Sequence, residues 1–252
     1  VENVSSIENF ESFEAVINLA GEPIADKRWT DTQKKIICNS RWDITSELVS
    51  KINSCDAPPP VFLSGSAIGY YGNQGDKLVT EETPPHNEFT HELCAKWETI
   101  AQSVDQAKTR VVTLRTGVVF TEKGGALGKM ALPFKLGAGG TLGSGSQYLA
   151  WIHLQDMVRA ISFLLENSAC SGAFNLTAPE PVTNKMFSKA LAKSLSRPCL
   201  FNVPGFVMKI AMGESSTMIL EGQRVIPKKL TTAGFSFDFP SINEALREIY
   251  RA

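Results

Sequence analysis

Short apolar runs alternate with longer amphipathic stretches through the first half of the chain. "AVINLA" (15–20) reads as a buried strand. A helical pattern follows near 30–53, with Ile37, Ile44, Leu48 and Ile52 recurring on one face and polar residues between. "APPP" (57–60) stops it, because proline cannot continue a helix. "VFLS" (61–64) is the next strand, a helix is expected near 91–106, and "RVVTLR" (110–115) is a third strand. Strand–helix–strand–helix–strand at this spacing predicts an α/β fold, a parallel sheet covered by helices on both faces.

The second half is less regular. The glycine-rich stretch "TEKGGALGKMALPFKLGAGGTLGSGSQ" carries a short predicted helix around Met130 to Leu136, then a flexible loop. "YLAWIHL" (148–154) reads as one strand, "QDMVRAISFLLEN" (155–167) as an amphipathic helix, and "GAFNLTA" (172–178) as a strand. "VTNKMFSKALAKSL" (182–195) is a helix with Asn184 near its start, and the tail from Val203 holds two or three short helices. No internal repeat is evident.

At 252 residues and 43% hydrophobic, the chain can bury one large core, with or without a smaller lobe. A formal net charge of −1 gives no electrostatic footprint for nucleic acid or an anionic membrane. No apolar run approaches the roughly 20 residues that span a bilayer. "VENVSSIENFESFEAV" lacks the basic-then-apolar order of a signal peptide, so a cytoplasmic location is expected. The five cysteines are scattered and form no C-x-x-C, as in a reducing compartment. The three histidines show no metal-ligand spacing, although His86 and His91 share a loop. A phosphate-binding turn between a strand and a helix is not visible: "GGALG" and "GAGGTLGSG" lie far downstream and outside a βαβ context.

"VINLAGEPIADKRW", "SGSAIGYYG", "LRTGVVF", "WIHLQDMVRAI" and "GAFNLTAPEPVTN", in this order, resemble the extended short-chain dehydrogenase/reductases, the sugar-nucleotide epimerase and dehydratase class. More narrowly they resemble the bacterial "epimerase family protein" branch, and the likeness covers essentially the whole chain. It implies a Rossmann-like doubly wound parallel sheet with a smaller C-terminal substrate lobe. Residues 1–120 would be a partial NAD(P)-binding domain and 121–252 mainly the substrate side, with some segments returning to the sheet. It also implies a glycine-rich first βαβ unit, about 30 residues long, which this chain is expected to lack.

The resemblance assigns roles by position. Leu19, Ala20 and Gly21 would pass beside the cofactor's ribose and pyrophosphate, where small residues allow close backbone approach; an ordinary strand exit is the alternative. Arg41 falls on the apolar face of its helix and needs an anionic partner, because an unpaired buried charge is costly. A cofactor phosphate and a nearby acid are both open. Ser66 would hydrogen-bond the substrate's reacting oxygen and is the candidate catalytic residue. Ser64 would face the nicotinamide side; loop capping is the alternative for both. Val118 and Val119 would lie against the cofactor ring, or simply fill a strand end.

The family's Tyr-x-x-x-Lys pair is absent. With Glu98 aligned to the glutamate that closes the motif, Thr90 takes the tyrosine position and Cys94 the lysine position. Lys96 is rotated by about 200° on the helix and does not replace it. Tyr70 and Tyr71, on the serine loop, could supply a phenol. His153 could face the cleft or pack beside Trp151, Asp156 reads as a helix-start residue, and Gln223, Arg224, Lys228 and Lys229 are either an acidic-ligand site or a solvated face.

Two functions follow as expectations. One is an NAD(P)-dependent oxidoreductase or epimerase acting on a small molecule, with NADP favoured over NAD. The other is a non-catalytic NADP(H) sensor or partner-binding protein. Neither involves nucleic acid, membrane or metal, and the sequence leaves the oligomeric state open.

Overall fold

The computed structural model describes residues 4–122 and 124–250; Val1–Asn3, the start of the amino-terminal stretch read above, lie outside them. The strands Val16–Asn18, Val61–Ala67, Arg110–Thr116 and Gly172–Leu176 form one sheet in that order, all parallel. Side chains alternate across a strand, and the two faces meet different partners. Phe62, Val111 and Val16 pack with Leu48, Val49 and Ile52 of the helix Asp31–Asn53. Leu63, Val112, Leu114, Phe174 and Leu176 pack instead with Ala160 and Leu164 of the helix Leu154–Glu166. The helix Phe89–Gln102 completes the first face, and the doubly covered parallel sheet is as expected.

Thr30 caps the first helix by accepting the Gln33 N–H. The second helix begins at Phe89, two residues before its expected start. A second core joins Phe120, Trp151 and Phe187 with Leu127 and Phe134 of the helix Gly125–Lys135 and with Ile242 and Leu246 of the last helix, Ile242–Tyr250.

Three expectations change. The "YLAWIHL" strand is two short strands, because the chain changes partner at Ala150. Tyr148–Leu149 pairs antiparallel with Val182–Thr183, and Trp151–His153 pairs parallel with Val118–Phe120. The Ala150 carbonyl accepts the Val118 N–H at the switch. The glycine-rich "GGALG" enters a helix: Gly124 and Gly125 have φ of +81° and +65°, backbone that favours glycine, and helix follows directly. Among the described residues the tail holds four α-helices, Gly205–Met212, Thr217–Leu220, Lys228–Thr232 and Ile242–Tyr250.

Asp156 does sit in the first turn of its helix, but it is fully buried. Its carboxylate accepts the Asp238 and Phe239 N–H groups, each at 2.9 Å, and so ties the tail to the helix start. No helix among the described residues is long and apolar enough to cross a membrane.

Candidate functional site

A cavity of about 480 Å³ opens at the carboxyl ends of the parallel strands, the usual ligand position in open α/β sheets. Ser66, Ala67 and Ile68 supply one wall, Thr90, Leu93, Cys94 and Trp97 a second, and Gly117, Val118 and Val119 a third. Ile24 and Arg41 line one end, and Thr217, Met218, Glu221 and Gln223 of the tail close over it. Of the sequence candidates, Arg41, Ser66, Val118 and Val119 therefore share one cavity. Leu19, Ala20, Gly21 and Ser64 do not line it. Ser64 is fully buried and its hydroxyl donates to the Gly65 carbonyl. Gly21 lies against Arg41: a Cβ there would stand 2.8 Å from the guanidinium carbon.

Arg41 has no carboxylate at ion-pair distance among the described residues, although the charge of Glu22 lies near enough to favour its protonated form. Its guanidinium donates to the Ile37 and Glu22 carbonyls, each at 3.0 Å, and lies 5.4 Å from the Trp97 ring. Burial pulls its pKa below the ordinary arginine value, yet a guanidinium stays charged at neutral pH. A cation held by carbonyls and an aromatic ring, at the end of a cavity, can take an anion.

A buried polar network backs the Ser66 wall, and of its members Ser66 alone lines the cavity. Strand register places Ser66 beside Arg115, and both side chains point at the helix Phe89–Gln102. Arg115 grips Glu98 with two bonds, Nε to Oε1 at 2.8 Å and a terminal nitrogen to Oε2 at 2.9 Å. Ser66 Oγ donates to the same Oε1 at 2.7 Å. Arg115 also donates to the Tyr71 hydroxyl at 3.0 Å and lies 3.5 Å from the Tyr70 ring centre. Burial would lower the Arg115 pKa, but its bonds to Glu98 outweigh this and raise it.

That network answers the question of the missing phenol. Tyr71 is fully buried, donates to Asn175 at 2.7 Å, and burial pushes its pKa up to about 12. Tyr70 stacks on Arg115 and against His91, away from the cavity walls. Neither tyrosine stands at the Ser66 wall. Thr90 and Cys94 both line the cavity. Thr90 Oγ1 donates to Glu88 Oε1 at 2.7 Å, and burial pushes the Cys94 thiol up to about 12, so it stays protonated at neutral pH.

The remaining candidates pack elsewhere. His153 is buried on Phe239, and its Nε2 lies 3.1 Å from Glu248. Lys228 pairs with Glu82, Lys229 lies over Phe174, and Arg224 lies over Tyr148. Only Gln223 of that group reaches the cavity. Sequence reasoning did not single out Arg115 or Glu88. The signal for Arg115 was present: an arginine in a buried strand needs hydrogen-bonding partners, and Glu98 lies on a helix that covers that strand.

The NAD-dependent epimerase/dehydratase family matches residues 2–177, and a domain of unknown function matches residues 203–249. An epimerase family protein of Mycobacterium bovis is 41% identical over 234 residues, 92% of this chain and 77% of its own length. One from Staphylococcus aureus is 38% identical over 241 residues, 95% of this chain and 80% of its own. Human epimerase family protein SDR39U1, solved with NADPH, is 34% identical, with a TM-score of 0.93 over 97% of this chain and 84% of that one. The chain belongs to the NAD-dependent epimerase/dehydratase family.

Proposed function

We propose that the chain binds a nicotinamide dinucleotide in this cavity, NADP(H) in preference to NAD(H), and acts with it as an oxidoreductase or epimerase on a small molecule. The observation that carries the reading is Arg41, a half-buried cation lining a largely apolar cavity with no carboxylate at ion-pair distance among the described residues. Arg41 would hold a phosphate of the dinucleotide. Val118 and Val119 would lie along the nicotinamide ring, with Leu19, Ala20 and Gly21 behind Arg41 as second-row backbone. The bound nicotinamide supplies hydride transfer. The family and the NADPH in the human relative support the same assignment.

The chain's own residues orient, seal and hold protons. Ser66 fixes a ligand oxygen at the strand end, and Ile68, Leu93 and Met218 keep water from it. Residues 1–120 would carry most of the cofactor contacts and 121–252 most of the substrate contacts. A second reading, binding without turnover, is favoured by Thr90 and Cys94, which occupy the positions of the family's acid/base pair and do not ionise near neutral pH.

A fluorescence titration with NADPH and NADH, with Arg41→Ala as control, tests the proposal. Binding that Arg41→Ala weakens about tenfold supports it, and no binding of either nucleotide overturns it. NADPH oxidation across a carbonyl panel and NADP+ reduction across an alcohol panel then separate the two readings.

A further inference from the structure

Ser66 and Thr90, two of the hydroxyl residues lining the cavity, have their protons committed elsewhere. Ser66 has one O–H, and it points at Glu98 Oε1, 2.7 Å away. The hydrogen must be the serine's, because a carboxylate is an acceptor only and this one is held by two Arg115 bonds. Thr90 is arranged the same way. Its O–H goes to Glu88 Oε1 at 2.7 Å, and Glu88 Oε2 accepts the Asn73 N–H at 3.0 Å. What Ser66 and Thr90 can offer the cavity is therefore lone pairs. Their neighbour Cys94 adds only a weak S–H donor, which hydrogen-bonds Ser66 and leaves the serine oxygen one lone pair for a ligand.

We infer that Ser66 and Thr90 act as hydrogen-bond acceptors toward the ligand, so that the group bound between them is a hydroxyl donor, an alcohol on a largely apolar body. This takes the cavity of the proposed function as its site and names the substrate class there. A carbonyl oxygen placed at the same point would meet two acceptors and lose its hydrogen bonds to water without replacement. A site built to pair an O–H discriminates against the analogue that lacks it. The lining includes Ile68, Leu93, Val118 and Met218, and most of the cavity's surface is apolar, with Asn73, Glu88, Glu221 and Gln223 as further polar groups. Such a surface suits an alcohol with an apolar body.

Cyclohexanol and cyclohexanone form a matched probe pair. Each would be titrated by protein-observed NMR into the chain alone and into the chain with saturating NADPH. The alcohol is expected to bind about tenfold more tightly. Ser66→Ala should bring the two probes to parity by weakening the alcohol alone, and Thr90→Val should narrow the gap without touching the Ser66 network. Equal or tighter binding of the ketone overturns the inference. So does a Ser66→Ala variant that weakens the ketone, which would make the serine a donor to a carbonyl, and so does failure of both probes to bind. Failure of NADPH to bind would instead strike the proposed function, and the comparison would still be read on the chain alone.

Discussion

Replacing Glu98 by methionine removes the acceptor that holds two separate donors in place. The Glu98 and Arg115 side chains are 11% and 6% exposed, so the pair lies where its loss is not screened by water. Breaking a buried pair from one side costs about 3–5 kcal/mol, chiefly because the remaining charge stays buried. Arg115 keeps the Tyr71 hydroxyl, the Glu81 carbonyl and the Tyr70 ring, so the lower part of that range applies. For a chain of this size each kcal/mol moves Tm by about 2–4 °C, which gives a fall of about 6–12 °C for a loss near 3 kcal/mol. Arg115→Met should cost a similar amount. The double variant with methionine at both positions should recover most of it, because two apolar side chains of similar volume leave no charge behind. The residue of about 1–2 kcal/mol would be the donor that Tyr71 and Glu81 lose. Urea unfolding followed by tryptophan fluorescence measures all four members of the cycle, with Trp97 close to the network. A Glu98→Met cost under about 1 kcal/mol, or a double variant that loses the sum of the two singles, would refute the picture of a coupled buried pair.

Gly21→Ala pushes a Cβ to 2.8 Å from the Arg41 guanidinium, the mobile end of a side chain; NADPH titration should show affinity falling about tenfold while Tm moves by less than about 2 °C. The Tyr71 and Cys94 pKa values are both raised by burial, to about 12, so the unfolded chain releases these protons first. Their contribution to stability is complete below about pH 9 and is lost as pH rises toward about 12. Urea midpoints at pH 8.5 and 10.5 should therefore diverge, and Cys94→Ala should remove about 2 kcal/mol of the difference. The helix Gly205–Met212 has no buried residue, and Arg28 donates to its last carbonyls, those of Ile210 and Ala211. Beside it Lys34 pairs with Glu214 at 2.6 Å. Arg28→Ala should raise amide exchange across 205–220 about five- to tenfold with Tm unchanged.

Much of this was legible because strands and helices announce themselves by period. "AVINLA", "VFLS" and "RVVTLR" needed only their apolar runs, and the long first helix only its repeat of Ile37, Leu48 and Ile52. The Ala150 break was not legible: periodicity reports burial, and both half-strands are buried or half-buried although they pair with different partners. Arg41 could be placed on an apolar helix face from its spacing, but not the carbonyls and ring that hold it, which come from residues 22, 37 and 97.

The site was half legible for a related reason. A motif reports which residue types stand in order, and Ser66 was singled out that way. Its chemistry depends on the direction of one proton. That direction is set by Glu98, 32 residues further on, and Glu98 is set in turn by Arg115 on the adjacent strand. Thr90 in the place of a tyrosine reads, on composition alone, as a lost catalytic group. With Glu88 behind it the same hydroxyl becomes an oriented acceptor. A serine and a threonine that each donate away from the cavity define a different ligand from a serine and a tyrosine that donate into it. Under the proposed alignment, a threonine and a cysteine in place of the expected pair bear first on what the cavity can bind, and only through that on whether it turns over.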